Sequence, residues 1–458
     1  MVLRLKNNYF TKTYLQHFLL NLFDVTLQLN SFPIKEARRL LKEVQQKGED
    51  EFKTYIDSKK QEIVNYHLMN NSFYKSFSKN LGLNDWNSIP IMTKSDLQKP
   101  LRQRLSDGFT AKNIYVNKTS GSSGNPFVFA KDKFSHALTW SIIQNRFGWF
   151  NLNFNTSKQA RFYGIPLDPK GYYKERFKDA LSKRFRFSVF DLSDEAFTKH
   201  LKKFETTPFD YINGYTSSII QFAKFLQKKN SVLKTICPTL TACVVTSEML
   251  FDDDKLLMET QFGVPVINEY GASELDLIAF QNPKGQWQLN NETLLIEILD
   301  DQNNVLPNGE EGRIIITSFY NKAHPFIRYD IGDIGVISKT STYKKPILEK
   351  LIGRTNDIAI LPSGKKAAGL TFYYITKSII EDDGNVKEFV IEQLTNKHFN
   401  VKYVSEENLS TTKTEIIKKE MENYLESGLD ITFEKLDKLH RNKNGKLKQF
   451  STYIKDNS

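Results

Sequence analysis

Residues 264–274 read Val-Pro-Val-Ile-Asn-Glu-Tyr-Gly-Ala-Ser-Glu, and the order of residue types in this stretch decides how the rest of the chain is read. The β-branched, apolar run at 264–268 predicts a strand. It is followed by an aromatic ring, a glycine and then a carboxylate, at Tyr270, Gly271 and Glu274. A strand that ends this way offers a flat face for stacking a base, backbone freedom, and an oxygen ligand for a Mg²⁺ ion held on phosphates. The same residues also fit a helix N-terminus, with Asn268 or Ser273 capping and Glu274 in the first turn.

Outward from this stretch, short β-branched runs alternate with amphipathic segments. Strands are predicted at residues 114–116, 242–246, 294–299 and 313–317, and helices at 194–204 and 217–228. The alternation predicts an α/β fold, a large domain of mixed β-sheets with helices. Upstream, residues up to about Asn80 read as helical: 36–59 mix strong helix formers with charges, and Gly or Pro is nearly absent there. Residues 93–97 offer a capped helix start after Ile89-Pro90-Ile91. Residues 14–29 carry apolar positions at helical spacing, which suits a helix packed on the main domain or one lying on a membrane surface.

The texture changes after Gly353-Arg354. Strands at 388–392, 399–404 and 430–435 with a Lys/Glu-rich helix at 412–426 predict a small, mobile C-terminal α+β domain. The predicted organisation is therefore an N-terminal helical region (1–85) packed on a large domain (86–353), then a small domain (354–458). No Gly/Ser linker marks the boundary at 354–357, so motion between the two would use a short hinge.

Composition excludes several classes. Of 458 residues, 40% are hydrophobic, 13% aromatic and 26% charged, which rules against disorder, collagen-like repeats and a disulfide scaffold. Cys237 and Cys243 are the only cysteines, too few for a four-cysteine zinc site and in keeping with a reducing compartment. The surplus of 64 basic over 53 acidic residues, +11 in net charge, suits a polyanionic partner. The lysines are scattered and no RNA-binding or zinc-finger signature accompanies them, so nucleic acid is not expected. No stretch approaches the ~20 apolar residues of a membrane span, and no secretory leader is legible. A cytoplasmic protein is expected, with peripheral membrane contact through 14–29 as the alternative.

Three further segments carry chemistry. Thr119-Ser120-Gly121-Ser122-Ser123-Gly124-Asn125-Pro126 follows a predicted strand and reads as a phosphate cradle of hydroxyls and backbone N–H groups, or as a plain turn. It is not a P-loop, because no Lys-Ser or Lys-Thr follows the second glycine. In Arg328-Tyr329-Asp330-Ile331-Gly332-Asp333, Asp333 suits two ribose hydroxyls as an acceptor-only carboxylate, and Arg354 some twenty residues on suits a phosphate. Alone, each reads equally as an Asp/Gly turn. Arg441-Asn442-Lys443-Asn444-Gly445-Lys446 reads by itself as a basic solvated tip.

Taken in order, these segments resemble the core motifs of the adenylate-forming superfamily (acyl-CoA synthetases, nonribosomal peptide adenylation domains, luciferases). Residues 86–97, 119–126, 211–218 and 328–333 resemble the phenylacetate-CoA ligase branch. Residues 361–365 and 389–393 resemble its CapK-type members, associated with capsular polysaccharide loci. The similarity runs from about Trp86 to the end.

The resemblance implies an ATP-dependent, AMP-forming ligase. A carboxylic acid would attack the α-phosphorus of ATP to give an acyl adenylate and pyrophosphate. The acyl group would then pass to coenzyme A or to an amine or hydroxyl, such as one on a sugar, in capsular or O-antigen polysaccharide biosynthesis. By the same match, Thr119, Ser120, Gly121, Ser122, Ser123 and Gly124 would grip the outgoing phosphates. Tyr270, Gly271, Ala272 and Ser273 would lie at the adenine, Asp333 at the ribose and Arg354 at phosphate. Glu274 would bind Mg²⁺, and Lys446 would bridge the α-phosphate and the acyl oxygen. Tyr163, Gly164, Tyr215 and Thr216 would line the acyl pocket, with core packing as their other reading. The hinge would be Asn356 and Asp357, where Asn356 replaces the family's frequent acidic residue. Pro362-Ser363-Gly364 replaces the usual glycine-centred loop facing the thioester-forming site, which argues against coenzyme A as acceptor. A monomer or homodimer is expected. The alternative reading is a catalytically idle scaffold or membrane-surface binding protein on the same fold, which would require gaps in the motif set; none of the decisive motifs is missing.

Overall fold

The computed structural model describes residues 22–79, 86–118, 128–164, 169–189, 193–354, 358–364, 366–368, 386–440 and 450–454. Strands β1 (Ile114–Lys118) and β2 (Val128–Asp132) form an antiparallel hairpin. Eleven further strands make one sheet. They are β3 (Gln159–Phe162), β4 (Arg184–Phe187), β5 (Tyr211–Tyr215), β6 (Ala242–Thr246), β7 (Val266–Ala272), β8 (Asp276–Gln281), β9 (Trp287–Leu289), β10 (Leu294–Leu299), β11 (Glu311–Ser318), β12 (Tyr329–Ile337) and β13 (Ile347–Arg354), in the order β10-β11-β12-β13-β9-β8-β7-β6-β5-β3-β4.

The sheet has two halves. From β4 to β7 every pairing is parallel. From β7 onward every pairing is antiparallel. Parallel neighbours need long crossovers, which the helices Asp194–Thr206, Thr216–Lys228 and Asp252–Phe262 supply. β5 and β6 are buried along their whole length, as expected where helices cover both faces. One face packs Phe162, Phe187, Phe204 and Phe222. The other packs Tyr211, Val244 and Ile267 against Leu138, Ile142 and Phe147 of the helix Lys133–Gly148.

Downstream, β14 (Ile358–Ile360) and β15 (Lys366–Ala368) form a hairpin. β16 (Val386–Gln393), β17 (His398–Ser405), β18 (Asp430–Lys435) and β19 (Phe450–Thr452) form a separate sheet in the order β18-β17-β16-β19. Among the described residues its core, including Ile391, Val401, Ile417, Met421 and Phe450, draws only on residues between Ala359 and Phe450. The fold is mixed α/β, with a large N-terminal part and a small C-terminal part, as the sequence predicts.

Residues 36–59 are helical as expected, in two helices, Ile34–Gln46 and Glu49–Asn70, separated at Lys47 and Gly48, where the Gly48 N–H donates to Glu51 Oε2 at 3.0 Å and starts a new helix. Residues 93–97 start no α-helix. The Thr93 amide and hydroxyl both donate to Asp96 Oδ2, at 2.8 and 2.5 Å, and hold a single 3₁₀ turn, Asp96–Gln98, that stops before Pro100. Of residues 14–29, those before Leu22 lie outside the described residues. The helix Leu22–Leu29 packs Phe23 and Leu27 against Ile34, Trp140 and Phe154, which is the packed alternative over this part. Among the described residues, no helix is long and apolar enough to cross a membrane. Cys237 and Cys243 are both buried and free.

Candidate active site

β7 is the seam of the sheet, parallel to β6 on one side and antiparallel to β8 on the other. The backbone stays extended through Ala272 because Gly271 and Ala272 pair with Leu277 and Asp276, so the alternative of a helix start at residues 268–274 is overturned. Gly271 is required by this close return: a Cβ there would stand 2.5 Å from the Asp276 carbonyl oxygen. The turn at 273–275 is tied to β2. The buried Lys131 forms an ion pair with the partly exposed Asp276 and reaches the Ser273 carbonyl at 3.5 Å, while Thr139 donates to Asp276 Oδ2 at 2.5 Å.

Across this turn lies β12. The Tyr270 hydroxyl donates to Asp333 Oδ2 at 2.6 Å, with both residues buried. Four strand steps separate β7 from β12 in the sheet order, about 19 Å on a flat sheet, so the antiparallel half must curl back over β7. A second bond of the same kind joins Tyr329, whose hydroxyl donates to Glu274 Oε1 at 3.0 Å. Asp333 faces Arg354 in the β12–β13 register. Asp330 is committed elsewhere, accepting from Arg313 Nη1 at 2.8 Å and from the Gly332 N–H at 2.8 Å. Gly332 takes a positive φ of 84°, which a glycine adopts without strain.

At the ends of β3 and β5, the Tyr163 and Tyr215 rings lie 4.5 Å apart between centroids. The Arg161 guanidinium sits 4.1 Å from the Tyr163 ring centroid. The Gly164 carbonyl accepts from Arg186 Nη1 at 3.0 Å. Thr216 is buried and donates to the Glu248 carbonyl at 3.3 Å. Glu269 on β7 accepts from the Thr246 hydroxyl at 2.9 Å. Burial pushes its carboxyl up to about 7, against the lowering effects of Thr246 and the Arg161 charge.

No family model matches the chain. It is 25% identical to Protein CapK of Staphylococcus aureus over 353 residues, covering 73% of this chain and 75% of that protein. Its fold is similar to that of a 2-hydroxyisobutyryl-CoA ligase in the postadenylation state with 2-HIB-AMP. That match has a TM-score of 0.65 and 14% identity over 89% of this chain and 90% of that one. The chain is thus similar in sequence to CapK and in fold to an adenylate-forming ligase. An amide bond synthetase, McbA from Marinactinospora thermotolerans, is also similar in fold, at TM-score 0.50 and 15% identity over 73% of this chain and 68% of that one.

Among the positions expected from the adenylate-forming motifs, the structure brings Tyr270 and Asp333 into direct contact and sets Glu274 beside them through Tyr329. Tyr163 and Tyr215 meet each other at the neighbouring strand ends. Residues 119–124, Asn356, Asp357 and Lys446 lie outside the described residues. Strands β1 and β2 nevertheless fix the ends of the 119–127 segment, because Lys118 and Val128 are register partners. Sequence reasoning missed Tyr329, although it stands inside a quoted motif. It also missed Glu269, Arg161 and the Lys131–Asp276 pair. Nothing local marks these residues, since their roles arise from strand neighbours.

Glu274 fits a Mg²⁺ ion that is bound mainly by phosphates. One of its carboxylate oxygens accepts from Tyr329, and among the described residues no group of three or more His, Cys, Asp or Glu side chains stands ready to hold a metal unaided. Mg²⁺ characteristically takes one or two carboxylates and completes its shell with phosphate and water.

The raised Glu269 carboxyl predicts a pH signature in stability. The folded chain binds this proton more tightly than the unfolded chain, whose ordinary value is 4.5. Stability from this group is therefore greatest below pH ~4.5 and is lost as pH rises through about 7. Between pH 5 and 8 the urea midpoint of Glu269→Gln should fall less than that of the wild type; parallel profiles would refute the assignment.

Proposed function

We propose that the chain activates a carboxylic acid as its acyl adenylate, with ATP consumed and pyrophosphate released, and then passes the acyl group to coenzyme A or to an amine or hydroxyl acceptor. The observation that carries this reading is the meeting of Tyr270, Asp333, Tyr329 and Glu274 where the parallel half of the sheet ends, the place where open α/β sheets take ligands.

The chemistry needs positioning and charge more than it needs a covalent partner. Asp333, with one oxygen held by Tyr270, would accept from the ribose hydroxyls. The Tyr270 ring, fixed at its hydroxyl, presents a face to the base. Glu274, oriented by Tyr329, would hold the Mg²⁺ that offsets negative charge on the phosphates. The hydroxyls and N–H groups of Thr119 to Gly124 would receive the outgoing pyrophosphate. Arg354 would reach phosphate from β13, next to Asp333 in register.

In this reading residues 354–458 act as a unit carrying Lys446 and pivoting at Asn356 and Asp357. The separate core of the region supports that division. For the second step, two fold relatives are by name a CoA ligase and an amide bond synthetase, so the fold serves both thioester and amide formation. Pro362-Ser363-Gly364 favours the amine or hydroxyl acceptor. It forms a tight turn closed by Gly364 N–H to Leu361 O at 2.8 Å and is pinned to Glu426 by Ser363. A role in polysaccharide assembly belongs to the same reading, as the resemblance to CapK-type members implies.

The test is acid-dependent ATP–pyrophosphate exchange over a panel of aryl, aliphatic, amino and sugar acids, followed by mass spectrometry of products with coenzyme A or an amine present. Exchange with at least one acid class is expected. No exchange with any acid, together with no ATP binding by calorimetry, would sink the reading in favour of an idle scaffold.

A further inference from the structure

Of the three arginines on the parallel strands, two are matched to anions. Arg184 pairs with Asp179 at 2.5 Å, and Arg186 pairs with Glu175 at 2.8 Å and Asp179 at 3.1 Å. Arg161, on β3 between them and the seam, makes no ion pair among the described residues, and its enclosed Nε has no hydrogen-bond acceptor. Alternation along the strand sends Ala160 and Phe162 into the aromatic core and Arg161 to the opposite face.

Its neighbours on that face are already occupied. Asn213, its register partner, accepts from Gln159 and donates to the Val244 carbonyl, at 3.1 and 3.2 Å. Glu248 accepts from the Ser217 amide at 2.7 Å and the Ser217 hydroxyl at 3.2 Å. Glu269 is bonded to Thr246. What remains against the guanidinium is the Tyr163 ring, with Tyr215 beside it, the two residues expected at the acyl end of the site. A half-buried guanidinium with its Nε enclosed and no anion beside it presents a planar fork suited to a carboxylate or phosphate.

We propose that Arg161 is a specificity-determining residue that pairs with a second anionic group on the substrate, so that the acid activated is a dianion. This rests on the adenylation reading above and names its substrate class: a dicarboxylate, or a carboxylic acid bearing a phosphonate or phosphate, whose reacting carboxylate points toward Tyr270 and Glu274 while its far end meets Arg161 over Tyr163. A protonated Glu269 leaves Arg161 without an internal competitor for that group. With its carboxyl held up to about 7 by burial, Glu269 is largely protonated below neutrality.

The test compares acids of similar length: succinate, glutarate and adipate as dicarboxylates, 3-phosphonopropanoate as the phosphorus counterpart, pentanoate as the monoanion and 5-aminopentanoate as the zwitterion. In pyrophosphate exchange, the best dianion should exceed pentanoate by about 100-fold in kcat/KM. Arg161→Gln should remove about that factor, mainly through KM for the dianion, with KM for ATP and the rate on pentanoate little changed, and Arg161→Lys should restore part of it. The dicarboxylate and phosphonate arms decide which anion the fork prefers. Equal use of pentanoate, preference for 5-aminopentanoate, or an equal loss on every acid in Arg161→Gln would overturn the proposal.

Thermal-shift titration with the same acids separates its failure from that of the adenylation reading. Dianion-induced stabilisation present in the wild type and absent in Arg161→Gln, without exchange, keeps the anion site and removes the chemistry. Exchange on monoanions that is indifferent to Arg161 keeps the chemistry and removes the site. Neither exchange nor a dianion-specific shift overturns both.

Discussion

Lys446→Ala is expected to lower acid-dependent pyrophosphate exchange by about 100- to 1,000-fold, the scale lost when one preorganised donor to a developing charge is removed. Adenylation moves negative charge onto the α-phosphate oxygens as the acid oxygen attacks. A lysine ammonium, protonated at neutral pH with an ordinary value near ~10.4, answers that charge only if the chain delivers it. Four residues after Lys446, β19 enters the small sheet parallel to β16 with Phe450 buried in its core, so that side of the segment is firmly anchored. ATP binding measured by calorimetry should survive the substitution within a few-fold, because the nucleotide contacts proposed for Tyr270, Asp333 and Glu274 lie on the other part of the chain. Exchange within about threefold of wild type would mean that the lysine does not act in the first half-reaction.

The second large effect concerns stability. Arg146, buried on the helix Lys133–Gly148, reaches both carboxylate oxygens of Glu292 from Nη2, at 2.7 and 2.6 Å. Gln45 donates to the same carboxylate at 3.0 Å, and the Tyr55 hydroxyl donates to the Glu292 carbonyl at 2.6 Å. One glutamate thus joins two N-terminal helices, the helix Lys133–Gly148 and the approach to β10. Burial pushes the Glu292 carboxyl up, yet Arg146 and the hydrogen bonds outweigh it and hold it below the usual carboxylate range. Arg146→Met leaves that charge buried and unmatched and should cost about 3–5 kcal/mol, read as a lower urea midpoint with an unchanged slope. Arg146→Met combined with Glu292→Leu should recover most of the loss. If the double variant is as weak as the single one, packing of Arg146 on Trp149, at 4.6 Å from its ring centroid, stabilises the fold more than the ion pair does.

Much of the fold was legible where one physical signal dominated. The apolar runs at 242–246 and 294–299 stand as β6 and β10 with those bounds, because a strand covered on both faces needs no help from its flanks. Other strands carried no such signal. β4 reads Arg-Phe-Arg-Phe and β12 contains two aspartates and two glycines; each is held in the sheet by partners distant in sequence. The candidate site divides the same way. Tyr270, Glu274 and Asp333 could be named because their residue types match the chemistry within short motifs. Tyr329 could not, since its bond to Glu274 spans 55 residues and exists only after the antiparallel half curls over β7. Arg161 was equally hidden: a charge in a four-residue strand looks like a solvated edge until its neighbours are known to be spoken for.

The two thiols described with the fold have a practical corollary. Both are enclosed, and burial raises the Cys243 thiol far above its ordinary value, so neither should react with maleimides while the chain is native. A cysteine introduced at exposed Val305 and another at exposed Ile416 would then be the only labelling positions. A donor–acceptor dye pair placed there would follow, one molecule at a time, whether residues 354–458 change their distance from the large sheet during turnover.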